Sequence, residues 1–234
     1  MDIATRVSGR RLLVAIVAWP VGATALAAAT VLLLRLILRA WARAHPGDVL
    51  AVVLVEAYVV LIVTLAACFG GPRGLRDRLG FRFTGVPHLL LAIAAWLGAL
   101  TAGGVVAVLL QPLFGRPQSN AVAVLAVARD PLFLALVVVA VTVLAPFGEE
   151  LLFRGAIFGW LALRLPWWAA AAISAALFAA AHLILPLFPI FFVFGLAAAG
   201  VRHYTGSTFN SWVMHASQNT LAVIAAFSLL ANGR

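Results

Sequence analysis

Apolar residues in this chain come in long runs with few interruptions. Leu12 to Leu34 is uncharged and continues past Arg35 to Leu38. Val49 to Gly70 is broken only by Glu56, and Val86 to Pro112 follows. Pro131 to Gly148 runs directly into Glu149-Glu150. Trp167 to Leu185, Phe188 to Val201 and Thr208 to Leu230 complete the series. A bilayer core takes about 20 apolar residues per helix. The pattern predicts an all-α fold, a polytopic transmembrane helical bundle of about seven spans. The stretch Ala121 to Ala128 is too short to cross and reads as interfacial.

Composition supports a membrane solvent. Of 234 residues, 65% are hydrophobic and 10% charged, with mean hydropathy +1.13. A soluble domain is about 45–50% apolar and about 25% charged, so too few polar residues exist to coat one. All 16 basic residues are Arg, against 7 acidic ones, for a net charge of +9. These arginines lie singly or in small groups between apolar runs. That pattern is membrane topology rather than a nucleic-acid footprint, and no nucleic-acid partner is expected. The single Cys68 excludes an intramolecular disulfide and a CxxC metal site.

The first run follows Arg6, Arg10 and Arg11 but exceeds the roughly 7–15 residues of a secretory h-region. A retained signal-anchor helix is the expectation. The most polar loop, Gly71 to His88, carries Arg73, Arg76, Arg78 and Arg82 against Asp77. The positive-inside rule places it in the cytoplasm with Arg6, Arg10 and Arg11, and seven spans then put Arg164 and Arg202 inside and the C-terminus outside. Arg39, Arg43, Arg116 and Arg129 argue against that orientation. Residues 1–130 read as transmembrane helices and a basic loop, and residues 131–234 as the core helices that carry chemistry, together one integral membrane domain. The localisation expected is a bacterial plasma membrane.

Residues 131–234 hold two carboxylates, Glu149 and Glu150, and one unexplained cation, Arg154. A charge in a span costs at least about 2.5–3.5 kcal/mol on insertion scales, and adjacent carboxylates oppose each other's ionisation. Glu150 and Arg154 are four residues apart and share a helix face. Glu149 lies about 100° away and needs another partner; it is a candidate general base. His182 lies deep in its run, four residues after Phe178. His215 and Asn219 are one turn apart on one face and can both donate to an oxyanion. The bland alternatives are a headgroup-level acid pair, a hydrogen-bonded structural histidine and interhelical polar glue. Jointly, three segments supply a base, an imidazole and oxyanion donors, an inventory for hydrolysing a carbonyl compound such as a peptide bond. The residues alone leave open which glutamate is the base. His45, His88 and His203 read as structural or solvated, and Glu56 as paired to another helix. Trp41, Trp167 and Trp168 read as interfacial anchors.

Glu149-Glu150-Leu151-Leu152-Phe153-Arg154 resembles the EExxxR motif of the CPBP family, the CAAX-protease and bacteriocin-processing (Abi-type, type II CAAX prenyl endopeptidase) intramembrane enzymes. Phe178-Ala-Ala-Ala-His182 is similar to its FxxxH motif and His215-Ala-Ser-Gln-Asn219 to its HxxxN motif. Gly200 to Ser207 resembles the turn before the last motif. Residues 1–130 share only hydropathy with it, apart from a reminiscent Leu79-Gly80-Phe81-Arg82.

The resemblance implies that Glu149 and His182 activate the attacking water. His215 and Asn219 would stabilise the oxyanion, Glu150 and Arg154 orient or neutralise the acid pair, and Phe178 shapes the pocket. The choice of Glu149 over Glu150 comes from the resemblance. It also implies a membrane-anchored protein or peptide substrate, prenylated in eukaryotic relatives. A metal-independent glutamate mechanism is favoured, with no cofactor; the alternative is zinc on Glu149, His182 and His215, although no HExxH is present. The competing functions are a non-catalytic scaffold or bacteriocin self-immunity protein and a small-solute transporter, the latter opposed by the absence of an evident repeat.

Overall fold

The computed structural model describes residues 8–115, 125 and 130–232. Arg6, Arg116, Arg129, Arg234 and residues 121–128 apart from Leu125 lie outside them. Among the described residues there are helices and turns and no strand. In chain order the helices are α1 (Gly9–Ile37), α2 (Arg39–Ala44), α3 (Pro46–Phe69), α4 (Gly71–Asp77) and α5 (Val86–Phe114). They continue with α6 (Pro131–Leu161), α7 (Trp167–Ala181), α8 (Phe188–Thr205) and α9 (Thr208–Ala231). The chain is an integral membrane protein by its apolar helices. Among the described residues, six segments are long and apolar enough to cross a bilayer: α1, α3, α5, α6, α9 and Leu185–Thr205, which contains α8.

The remaining apolar run, Trp167 to Leu185, behaves differently from the other six. Helix α7 has 15 residues, about 22 Å at 1.5 Å per residue, against a hydrocarbon core of about 30 Å. It stops because Leu183 takes a left-handed conformation, φ +56°, and Pro186 and Pro189 follow. The turn that returns the chain into α8 is apolar, and Leu183 is 92% exposed. The run therefore forms a short helix and a turn, and His182 sits where the helix ends.

Packing is inverted relative to a soluble protein. Leu13, Leu32, Leu36, Val108 and Leu109 face outwards, while Ala92, Ala140, Ala156, Ala170, Ala175, Ala198 and Ala199 are buried. Lipid tails are as apolar as leucine, so helices associate by close packing of small residues. The contact between α7 and α8 shows this at Gly195, where a Cβ would lie 2.9 Å from the Ala175 Cβ and 3.0 Å from its Cα.

Helix α6 runs through the centre. Asp130 caps it by accepting from the Leu132 N–H, with Pro131 in the first turn. Two π-helical segments interrupt it, Ala140–Leu144 and Leu151–Ile157. In the first, the Ala145 N–H reaches back to the Ala140 carbonyl, just before Pro146, which lacks an N–H. Every residue of the second is buried. Glu149 and Glu150 end the short α-helical piece between them, and such widened turns recur at functional sites.

The basic loop after α4 is stitched to the start of α9. Thr208 donates its N–H to the Gly80 carbonyl and its hydroxyl to the Leu79 carbonyl. The Ser207 hydroxyl donates to the Arg82 carbonyl, and the Asn210 amide to the Thr84 hydroxyl. Ser207 also caps α9 by accepting from the Asn210 N–H. Leu79 is fully buried against Gly155. Phe81 meets Phe147, Phe209 and Trp212 edge-on, which braces the α6 turn two residues before Glu149.

Gly195→Ala should lower the melting temperature of the detergent-solubilised protein, because overpacking costs about 1–3 kcal/mol. Gly200→Ala, whose Cβ would meet nothing within 4 Å, should leave it unchanged or raise it, since alanine is the better helix former. Thermal unfolding of the two variants side by side measures the difference, and equal shifts would contradict the close approach of α7 and α8.

Candidate active site

The site is built outwards from one buried ion pair. Glu150 Oε1 lies 2.9 Å from Arg154 Nη1, with both side chains fully buried. The 3.6-residue period puts them on one face. Arg154 Nη2 donates to the Gly195 carbonyl at 3.3 Å, and its guanidinium stacks over the Phe178 ring at 4.3 Å. One α6 cation thus ties α7 and α8 to the acid pair.

His215, from α9, stands between the two glutamates. Its Nδ1 is 3.0 Å from Glu150 Oε1 and its Nε2 is 3.8 Å from Glu149 Oε2. A carboxylate held by a guanidinium accepts, so His215 Nδ1 carries a hydrogen. The 3.8 Å gap exceeds a hydrogen bond, so Nε2 is not committed to Glu149. The ring is fixed edge-on between Phe178 and Phe194.

His182, at the end of α7, has its Nδ1 2.8 Å from the Phe178 carbonyl. A carbonyl only accepts, so Nδ1 again carries the hydrogen and a neutral ring leaves a lone pair on Nε2. Phe191 packs against the ring at 4.1 Å. His182 makes no hydrogen bond or ion pair with Glu149. Instead, His182, His215 and Asn219 line a common cavity of about 280 Å³. Phe178, Ile190, Phe191 and Phe194 form apolar walls, and Ala99, Gly103, Gly104 and Ala107 of α5 make room for it. Glu149 is not among the lining residues; its link to them is the His215 ring.

Asn219 donates one amide hydrogen to the Val141 carbonyl, at 2.8 Å, inside the first π segment. At most one amide hydrogen remains for a ligand. Gln218 beside it accepts from the Trp96 indole at 2.9 Å, closing the cavity against α5.

Two contacts answer questions the sequence left open. Glu149 is paired with Tyr58 of α3, whose hydroxyl donates to Oε1 at 2.7 Å. Tyr58 escaped sequence reasoning because a tyrosine in an apolar span carries no motif, and its partner lies 91 residues away. Glu56 accepts from the Thr30 hydroxyl of α1 at 2.8 Å, so it serves the packing of α1 on α3. His45 stacks on Trp41 and His203 on Trp167, away from the site.

A family model described as type II CAAX prenyl endopeptidase Rce1-like matches residues 131–221. That segment belongs to the Rce1-like family. It is a protease family, and the matched residues include Glu149, Glu150, Arg154, His182, His215 and Asn219. No curated protein and no solved structure matches the chain.

The zinc alternative requires Glu149, His182 and His215 to converge. His182 makes no hydrogen bond or ion pair with Glu149, and His215 Nε2 stands 3.8 Å from Glu149 Oε2. Among the described residues no three His, Cys, Asp or Glu side chains are grouped to hold a metal ion. These side chains as placed do not fit a zinc centre.

Arg154→Ala leaves Glu150 buried without its cation, and breaking such a pair costs about 3–5 kcal/mol. Its melting temperature in detergent should fall steeply. Replacing both partners, Glu150→Leu with Arg154→Met, should recover most of the loss because no lone charge is left inside. A double variant as unstable as the single one would show that the pair does not act as a unit.

Proposed function

We propose that the chain is an intramembrane endopeptidase that hydrolyses a peptide bond of a membrane-anchored protein or peptide. The observation that carries this reading is the pair of histidines on one apolar cavity. Each holds a hydrogen on Nδ1 through a fixed acceptor, which reserves its Nε2 for a reacting group.

In this reading Glu149 and the His182 Nε2 share the task of taking a proton from water, whose oxygen attacks the carbonyl carbon. The oxyanion accepts from the remaining Asn219 amide hydrogen and from His215 Nε2–H. That second donor needs His215 as an imidazolium, because Nδ1–H is already engaged with Glu150. The tetrahedral species then collapses. The carbon–nitrogen bond breaks, the leaving amine takes the proton that water lost, and the new C-terminus keeps the water oxygen. The apolar walls favour a substrate without charge next to the scissile bond, and a membrane anchor would deliver it from the bilayer.

Purified protein with prenylated and unprenylated peptides, read by mass spectrometry, tests the proposal. Wild type should release fragments with a new carboxyl terminus, with or without a chelator. Glu149→Ala and His182→Ala should each lose at least about a hundredfold in rate, the scale of general acid–base catalysis. Folded wild type that cleaves nothing, or variants as active as wild type, would overturn the reading and favour a scaffold or immunity role. Asn219→Ala should lower kcat by about 10²–10³ with little change in KM, since oxyanion donors act in the transition state. Unchanged kcat would remove Asn219 from that role.

A further inference from the structure

Among the described residues, the charged and polar groups around Glu149 come from three helices. Glu150 and Arg154 lie on its own helix, His215 faces Oε2 from α9, and Tyr58 donates to Oε1 from α3. Arg154 is committed to Glu150, the Gly195 carbonyl and the Phe178 face. His215 is held by Glu150 and stays 3.8 Å short of Glu149. The Tyr58 hydroxyl is therefore the one direct hydrogen-bond donor to this carboxylate among the described residues.

We infer that Tyr58 is a positioning residue for Glu149. Its hydroxyl fills Oε1, fixes the carboxylate plane and leaves Oε2, the oxygen facing His215, to take a proton. The 2.7 Å separation is that of a charge-assisted bond. A hydrogen bond to the charged form favours that form, and Tyr58 supplies one from a neutral donor. It also does so without a second cation, which would hold the carboxylate too tightly to accept a proton. The base role rests on the endopeptidase reading; the hydrogen bond and its effect on ionisation do not.

An apolar carbodiimide provides a test independent of cleavage. It adds to a protonated carboxyl to give an N-acylurea, and peptide mapping assigns the adduct to a residue. Labelling of Glu149 in wild type and Tyr58→Phe would be followed from about pH 5 to about pH 9, a range above the ordinary carboxylate pKa. Phenylalanine keeps the ring packing and removes one donor. The labelling curve should move to higher pH by about one unit, a tenfold change in protonated fraction at fixed pH. Superimposed curves would overturn the inference.

A second measurement needs no change at Tyr58. The chain has two tyrosines, Tyr58 and Tyr204. With biosynthetic 3-fluorotyrosine, Glu149→Gln should move one ¹⁹F signal and leave the other in place; two unmoved signals would overturn the contact. Where peptides are cleaved, Tyr58→Phe should lower kcat about tenfold with KM nearly constant, and the acid limb of the pH–rate profile should move upwards. A profile identical to wild type would reject the positioning role while leaving the protease reading standing. A wild type that cleaves nothing would fail that reading, and the labelling curves would still decide the role of Tyr58.

Discussion

A carboxylate and a guanidinium buried together at the centre of a helical membrane protein constrain everything around them. Glu150 and Arg154 have no solvent to fall back on, and removing two charges from water costs several kcal/mol per ion. Their mutual attraction offsets this better when further partners share the load, and although Glu150 Oε2 and Arg154 Nε have no hydrogen-bond partner among the described residues, other atoms of the pair do. Those partners come from three other helices: the Gly195 carbonyl on α8, the Phe178 face on α7 and His215 on α9. The pair thus fixes where three helices can sit. It also fixes the chemistry of the neighbouring groups. By occupying His215 Nδ1, Glu150 determines which imidazole nitrogen is left over. By pairing directly with Arg154, it leaves the Tyr58 hydroxyl as the direct hydrogen-bond donor to Glu149 among the described residues.

Close approach of the backbone makes that arrangement possible. Arg154 reaches the Gly195 carbonyl because Gly195 has no Cβ to hold α7 and α8 apart. Ser174 on α7 donates to the Phe153 carbonyl inside the second π segment, and Asn219 on α9 donates to the Val141 carbonyl inside the first. Widened helical turns weaken the regular ladder, and in a membrane a freed carbonyl needs another donor. Side chains from neighbouring helices bond a carbonyl at both places, at Phe153 in addition to the Phe158 N–H. The irregular parts of α6 are therefore each tied to a neighbouring helix by a side-chain hydrogen bond.

Much of this was legible in the sequence because the solvent is apolar. An apolar run of about 20 residues matches the thickness of a bilayer core, so most spans follow directly from hydropathy. Likewise Glu149, Glu150, Arg154, His182, His215 and Asn219 stood out because polar groups are rare and expensive in such runs. The structure brings His182, His215 and Asn219 to one cavity, with Glu149 joined through His215 rather than through His182. What stayed hidden depends on three-dimensional approach. Tyr58 is amphipathic enough to pass as an anchor. The π segments leave no periodic trace. The shortness of α7 depends on Leu183 adopting a backbone conformation that leucine rarely takes, which no hydropathy pattern encodes. The tautomers of the two histidines follow from acceptors that are visible only once the helices are packed.

The division between Glu149 and Glu150 shows why sequence alone could not choose between them. The two residues are chemically identical and adjacent, and each could serve as a base in isolation. Packing makes them different. Glu150 faces a fixed cation and an imidazole N–H, so protonating it would break an ion pair in the least polar part of the molecule. Glu149 faces a neutral hydroxyl on one oxygen and an uncommitted imidazole nitrogen on the other. Its side chain retains 17% exposure while that of Glu150 has none. In the proposed mechanism a group gains and loses a proton in each cycle, and the Tyr58 hydroxyl beside Glu149 is a partner that tolerates both states better than the guanidinium beside Glu150 does.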